Sequence, residues 1–129
     1  MCRVDDCDPW EFFHAEPRKA AKDHRCTECC RVVAKGETYD YAVGKIDSYF
    51  CTYRTCEHCA AAAQWLQTAC GGWLYLGVLE ELVEHWDEGP YLQSWQLGRL
   101  IVGMRRRWAG MSVPDRAAVR ASVPEAARA

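Results

Sequence analysis

Cys26-Thr27-Glu28-Cys29 and Cys56-Glu57-His58-Cys59 are two C-x2-C pairs separated by 26 residues. A C-x2-C turn aims two thiolates at one point, and two such knuckles complete the tetrahedral S₄ shell of a closed structural zinc site. The second pair runs directly into Ala60-Ala61-Ala62-Ala63, a strong helix former. The free N–H groups at that helix start favour thiolate charge. Arg25, Arg31, Arg54 and His58 lie near enough in sequence to offset the charge of the site. The same four thiols also suit an iron–sulfur cluster or a redox C-x-x-C pair, although no thioredoxin-like strand precedes either motif.

Working outward, the segment between the knuckles has strand character. Val32 and Val33 precede a Lys35-Gly36 turn signal. Tyr39, Tyr41 and Val43 alternate with polar or small neighbours, the period of a half-buried strand. Gly44-Lys45 is the next turn candidate, and residues 48–54 are rich in β-formers. The expected unit is a hairpin of residues 37–43 and 48–54, with a short strand before it.

Beyond Cys59 the pattern turns helical. One helix should end at Gly71-Gly72 and a second should span about residues 73–86, with Leu79, Leu82, Val83 and Trp86 on its apolar stripe. Gly89-Pro90 breaks it. A third, about 91–108, carries Leu97, Leu100, Ile101, Met104 and Trp108 on one side, with Arg105, Arg106 and Arg107 near its end. Ser112-Val113-Pro114-Asp115 is a cap signal for one short helix, followed by a frayed tail. At the other end, Pro9 and Pro17 suggest an irregular lead-in or a short helix, with Trp10, Phe12 and Phe13 packed on the domain.

The bulk properties fit one small domain. The chain has 129 residues, half of them hydrophobic, six Trp and a formal net charge of -2. A core of this size is commonly supplemented by a metal cross-link. The charge is not that of a dedicated nucleic-acid binder. The acidic start (Asp5, Asp6, Asp8) lacks the apolar h-region of a secretory signal, and no apolar run approaches a membrane span, so the chain reads as cytoplasmic with no membrane contact. Nine cysteines in that compartment point to metal binding rather than a disulfide framework.

The remaining cysteines divide. Cys30 is a substitute for Cys29 as ligand, but the x2 spacing favours Cys29. Cys51 reads as a small core residue. Cys2, Cys7 and Cys70 are candidates for a second metal site completed by His14, His24 or His85; ordinary core or surface thiols are the alternative. Two basic clusters, Arg18, Lys19, Lys22 and Arg25, then Arg99 with Arg105 to Arg107, are candidate phosphate or partner contacts. Solvated faces and helix-end charge explain them equally well. A nuclease built on a knuckle-hairpin-helix unit needs a catalytic His on the hairpin. That hairpin holds none, and the helix after Cys59 offers no His or Asn.

Further landmarks accompany the knuckles: His24-Arg25 before Cys26, Gly36-Glu37-x-Tyr39, Gly44-Lys45, Thr55 before Cys56, Trp65-Leu66, Gly71-Gly72 and Glu81-x-x-x-His85. Over about residues 1–108 this series resembles a group of small phage- and prophage-encoded proteins with paired CxxC zinc knuckles. The resemblance implies a viral or prophage origin and a metal-stabilised fold. It implies no catalytic residue.

The sequence therefore predicts an α+β fold: a treble-clef-like zinc finger (knuckle, β-hairpin, helix) over about residues 24–70, then a two-helix C-terminal half at about 73–108. Residues 1–110 form a single zinc-stabilised domain, and 111–129 a flexible tail or short helix. One structural Zn²⁺ per chain, held by Cys26, Cys29, Cys56 and Cys59, is the expected cofactor. The expected function is non-enzymatic: binding a host or phage protein as a modulator or inhibitor. Nucleic-acid binding is the alternative and a cryptic nuclease the third, and no small-molecule substrate is evident.

Overall fold

The computed structural model describes residues 12–46, 48–71 and 75–125. The acidic head with Trp10, and Cys2, Cys7, Asp47, Gly72 and Trp73, lie outside them. The fold is mixed α/β, with small antiparallel sheets and four α-helices among the described residues. The strands are β1 (Phe12–Lys19), β2 (His24–Arg25), β3 (Val32–Val33), β4 (Thr38–Ile46) and β5 (Tyr49–Cys56). The helices are α1 (Glu57–Cys70), α2 (Val78–Glu88), α3 (Trp95–Arg105) and α4 (Arg116–Ala121), with a 3₁₀ turn at Pro90–Leu92.

The lead-in is a strand, not an irregular segment or short helix. β1 pairs antiparallel with β4 from Phe12 opposite Lys45 to Lys19 opposite Thr38, giving a sheet of order β1-β4-β5. Pro17 is tolerated because β1 is an edge strand, where a missing N–H breaks no second ladder. The hairpin also differs from expectation. Gly44 and Lys45 are not a turn: they lie within β4, opposite Cys51 and Phe50. The reversal falls further on, where Ser48 takes a left-handed conformation at φ 68.

Period-two alternation assigns the sheet two faces. Ala42 and Thr55 point to one face and are buried there, where α1 covers β4 and β5. On that side Tyr75 stacks on Tyr53 at 4.7 Å and meets Phe13 at 6.0 Å. Among the described residues the opposite face is closed near Cys56, where Tyr39 is buried and meets the His24 ring.

α1 begins where the Cys56 side chain accepts the Cys59 N–H, and ends at Gly71 in the left-handed region. Its buried face (Ala62, Trp65, Leu66) joins Leu82 of α2 and Leu97, Leu100 and Ile101 of α3 in one core. α2 starts at Val78, later than predicted, because Leu76 and Gly77 both sit at positive φ. The predicted third helix is divided. Residues 90–92 form the 3₁₀ turn, and α3 starts where the Ser94 side chain accepts the Leu97 N–H. It stops at Arg105, and Arg107 and Trp108 turn the chain back at φ 51 and 59. The core continues past residue 110. Asp115 caps α4, which packs on α1 and buries Val119 and Val123.

Among the described residues no helix is long and apolar enough to cross a membrane.

Candidate metal centre

The two knuckles converge. The sulfurs of Cys26, Cys29, Cys56 and Cys59 all lie within 4.8 Å of one another, and all four residues are buried. Cys26 and Cys29 come from the turn between β2 and β3; Cys56 ends β5 and Cys59 lies in the first turn of α1. A tight backbone builds the first knuckle: Cys26 N–H donates to the Arg31 carbonyl, and Cys30 N–H to the Cys26 carbonyl. Thr27 N–H donates to the Arg54 carbonyl at 2.8 Å, tying this knuckle to β5.

Each sulfur accepts one N–H. Cys56 N–H donates to Cys26 Sγ, Arg31 N–H to Cys29 Sγ, Cys59 N–H to Cys56 Sγ and the Trp108 indole N–H to Cys59 Sγ, at 3.4, 3.4, 3.5 and 3.4 Å. Such bonds stabilise thiolates over thiols. Proton sharing within the crowded set pulls two ways. Hydrogen bonds from Cys29, Cys56 and Cys59 hold Cys26 far below the ordinary thiol value. Hydrogen bonding to Cys26 first, then to Cys56, and burial push Cys29 far above it, against an opposing hydrogen bond with Cys59. Four sulfurs at this spacing could share one metal ion. The donor set therefore fits a metal ion, and it presents four sulfurs with no oxygen ligand.

No protein-family model, curated protein or solved structure matches this chain. The reading of the site thus stands on its geometry.

Around the cluster, Arg31 pairs with Glu37 at 2.8 Å. His58 Nε2 lies 3.1 Å from the Met111 carbonyl, and its ring packs on Trp108. Burial lowers the His58 pKa, so the neutral ring donates from Nε2 to that carbonyl. Arg25 Nη1 donates to the Cys30 carbonyl. Cys30 itself is exposed with φ 65: it turns the chain out of the knuckle and does not join the sulfur cluster. Cys51 is half-buried.

Cys70, a candidate for the second metal site, ends α1 away from the four-cysteine cluster. It lies 3.3 Å from His85 Nε2. Its proposed companions Cys2 and Cys7 are outside the described residues.

Two residues that hold the centre together were not predicted. Trp108 reads in sequence as one more apolar residue on a helix stripe, yet it reaches the ligand Cys59 across 49 residues. Glu28, between the ligands of the first knuckle, accepts the backbone N–H groups of Leu76 and Val78 at the start of α2. Only the position of Glu28 inside a ligand loop hinted at such a role.

The first basic cluster divides between the two sheet faces and the turn that follows, while the second stays on α3 and at its end. Arg18 lies over the Tyr41 ring at 3.7 Å on the open sheet face, and alternation sends Lys19 to the other. Lys22 and Arg25 are exposed beyond the strand. Arg105, Arg106 and Arg107 are exposed at the end of α3. Arg105 and Arg99 border a groove of about 820 Å³ between α2 and α3, walled by Val83, Trp86, Trp95, Ile101 and Val102. Trp95 is 73% exposed, with the Arg99 guanidinium 5.4 Å from its ring.

Proposed function

We propose that this protein is a non-enzymatic binding module of phage or prophage type, held in shape by one structural Zn²⁺, that engages a host or phage protein as a modulator or inhibitor. The observation that carries the reading is the α2–α3 groove. A large apolar trough with an exposed tryptophan is unusual on a small monomer and has the character of an interaction site. Its rim cations Arg99 and Arg105 suit a protein segment with an apolar anchor flanked by carboxylates.

Zinc is the metal best suited to four thiolates in a tetrahedral set. The order of knuckle, hairpin and helix supports a treble-clef-like arrangement. A shell closed by four sulfurs leaves no position for an activated water, so the metal has a structural role. The viral assignment rests on the resemblance of the knuckle landmarks to those of small phage proteins.

The test is affinity capture from bacterial lysate with zinc-loaded wild type and with Trp95→Asp, whose exposed site tolerates the change. A specific protein retained by the wild type and lost by the variant is the expected result. Equal capture by both, or no capture by either, contradicts the proposal.

A further inference from the structure

We propose that the open face of the β1–β4–β5 sheet is a platform for single-stranded nucleic acid, a site separate from the α2–α3 groove. The register sets the composition of this face. His14, Glu16 and Arg18 of β1 alternate onto it beside Tyr41, Val43 and Lys45 of β4, and Arg54, Thr52 and Phe50 of β5. α1 and Tyr75 cover part of the other face around Ala42, Tyr53 and Thr55, whereas among the described residues no helix packs over this one.

Its chemistry is cationic and aromatic together. Arg18, Lys45 and Arg54 supply three positive charges. Among the described strand residues the one carboxylate on the face is Glu16, held between Arg18 and His14. The Tyr41 ring lies 3.7 Å from the Arg18 guanidinium and 5.9 Å from that of Arg54. Phe50, 67% exposed, has the Lys45 ammonium 5.7 Å from its ring. Two stacking surfaces result: the open Phe50 ring, and the Arg18 guanidinium lying on Tyr41. Bases stack on both aromatic rings and guanidinium planes, while adjacent cations neutralise the phosphates. A duplex keeps its base faces inside and uses only the charges. An acidic protein partner would also meet the cations but makes less use of two stacking planes, so charge and ring geometry together favour a single strand.

Neighbouring residues at the hairpin tip provide the control. Tyr49 and Phe50 are both exposed, at 74% and 67%, but the pleat sends them to opposite faces. Fluorescence anisotropy with a fluorescein-labelled oligothymidylate of about ten nucleotides, at low salt, reads the interaction. The wild type should bind, with log K falling against log salt at a slope of about -2, as three phosphate contacts on a single strand require. Phe50→Ala should weaken binding about tenfold, and Tyr49→Ala should leave it unchanged. Arg18→Ala should also make the slope shallower by about 0.7. All three side chains are exposed, and circular dichroism with metal content verifies that each variant folds. No binding by wild type, equal losses at Tyr49 and Phe50, duplex bound as tightly as the single strand, or a loss following Arg105→Ala and Arg106→Ala instead would each overturn the proposal.

Discussion

Trp108 joins two structural tasks in one side chain, since its indole N–H donates to Cys59 Sγ while its ring packs on His58 and fills the space above Gly103. A hydrogen bond to a metal-bound thiolate tunes how firmly the metal is held. Trp108→Phe removes the N–H together with the five-membered ring and keeps one aromatic ring in the packing, so it should lower metal affinity by about tenfold, read by competition with a chromophoric chelator. Unchanged affinity would reduce Trp108 to packing alone. Asp40 behaves differently. It lines a small cavity of about 90 Å³ with Thr55, Tyr75 and Arg116, and burial raises its pKa against the opposing pull of Arg116. A carboxyl with a folded pKa above its unfolded value holds its proton more tightly in the native state. Stability therefore falls as pH rises from the ordinary carboxylate range through the raised value. Asp40→Asn should abolish that portion of the decline in a urea-unfolding series against pH; an unaltered slope would contradict it.

The elements show which signals in the sequence were local and which were not. Alternation at Tyr39, Tyr41 and Val43 marked β4, and the Ala60 to Ala63 run marked α1, because each depends only on neighbouring residues. The start of α2 differs because it is set by Leu76 and Gly77 in the left-handed region and by Glu28, which accepts the Val78 N–H from 50 residues away. Gly44-Lys45 resembles a turn locally, but β1 pairs alongside and keeps it extended: Phe13 lies opposite Gly44. The end of α3 depends on Trp108 folding back, where its N–H donates to the Gly103 carbonyl at 2.7 Å. A Cβ at Gly103 would clash with Trp108 Cζ3. Helix propensity favours Gly103→Ala by about 1 kcal/mol, but overpacking against a ring pinned to Cys59 costs about 1–3 kcal/mol and should win. The urea midpoint of Gly103→Ala should fall, and a rise would show that the ring moves freely.

At the scale of the molecule, the four-cysteine cluster ties the β2–β3 knuckle to the junction of β5 and α1, and Trp108 and Glu28 extend that tie to α3 and α2. The four-cysteine cluster was legible because C-x2-C spacing is a purely local signal. The groove and the sheet platform were not, since they depend on which elements come together and which faces remain open. If the cation holds these parts together, the four ligands differ sharply from other cysteines. Cys59→Ser should abolish cooperative folding, whereas Cys51→Ser, at a half-buried strand position, should cost about 1 kcal/mol. Similar stability losses for the two would contradict a metal-centred fold. The most direct test is elemental analysis of the purified, folded protein. About one zinc per chain is predicted, with loss of the folded circular dichroism signal on chelation; a folded chain free of metal would contradict the account.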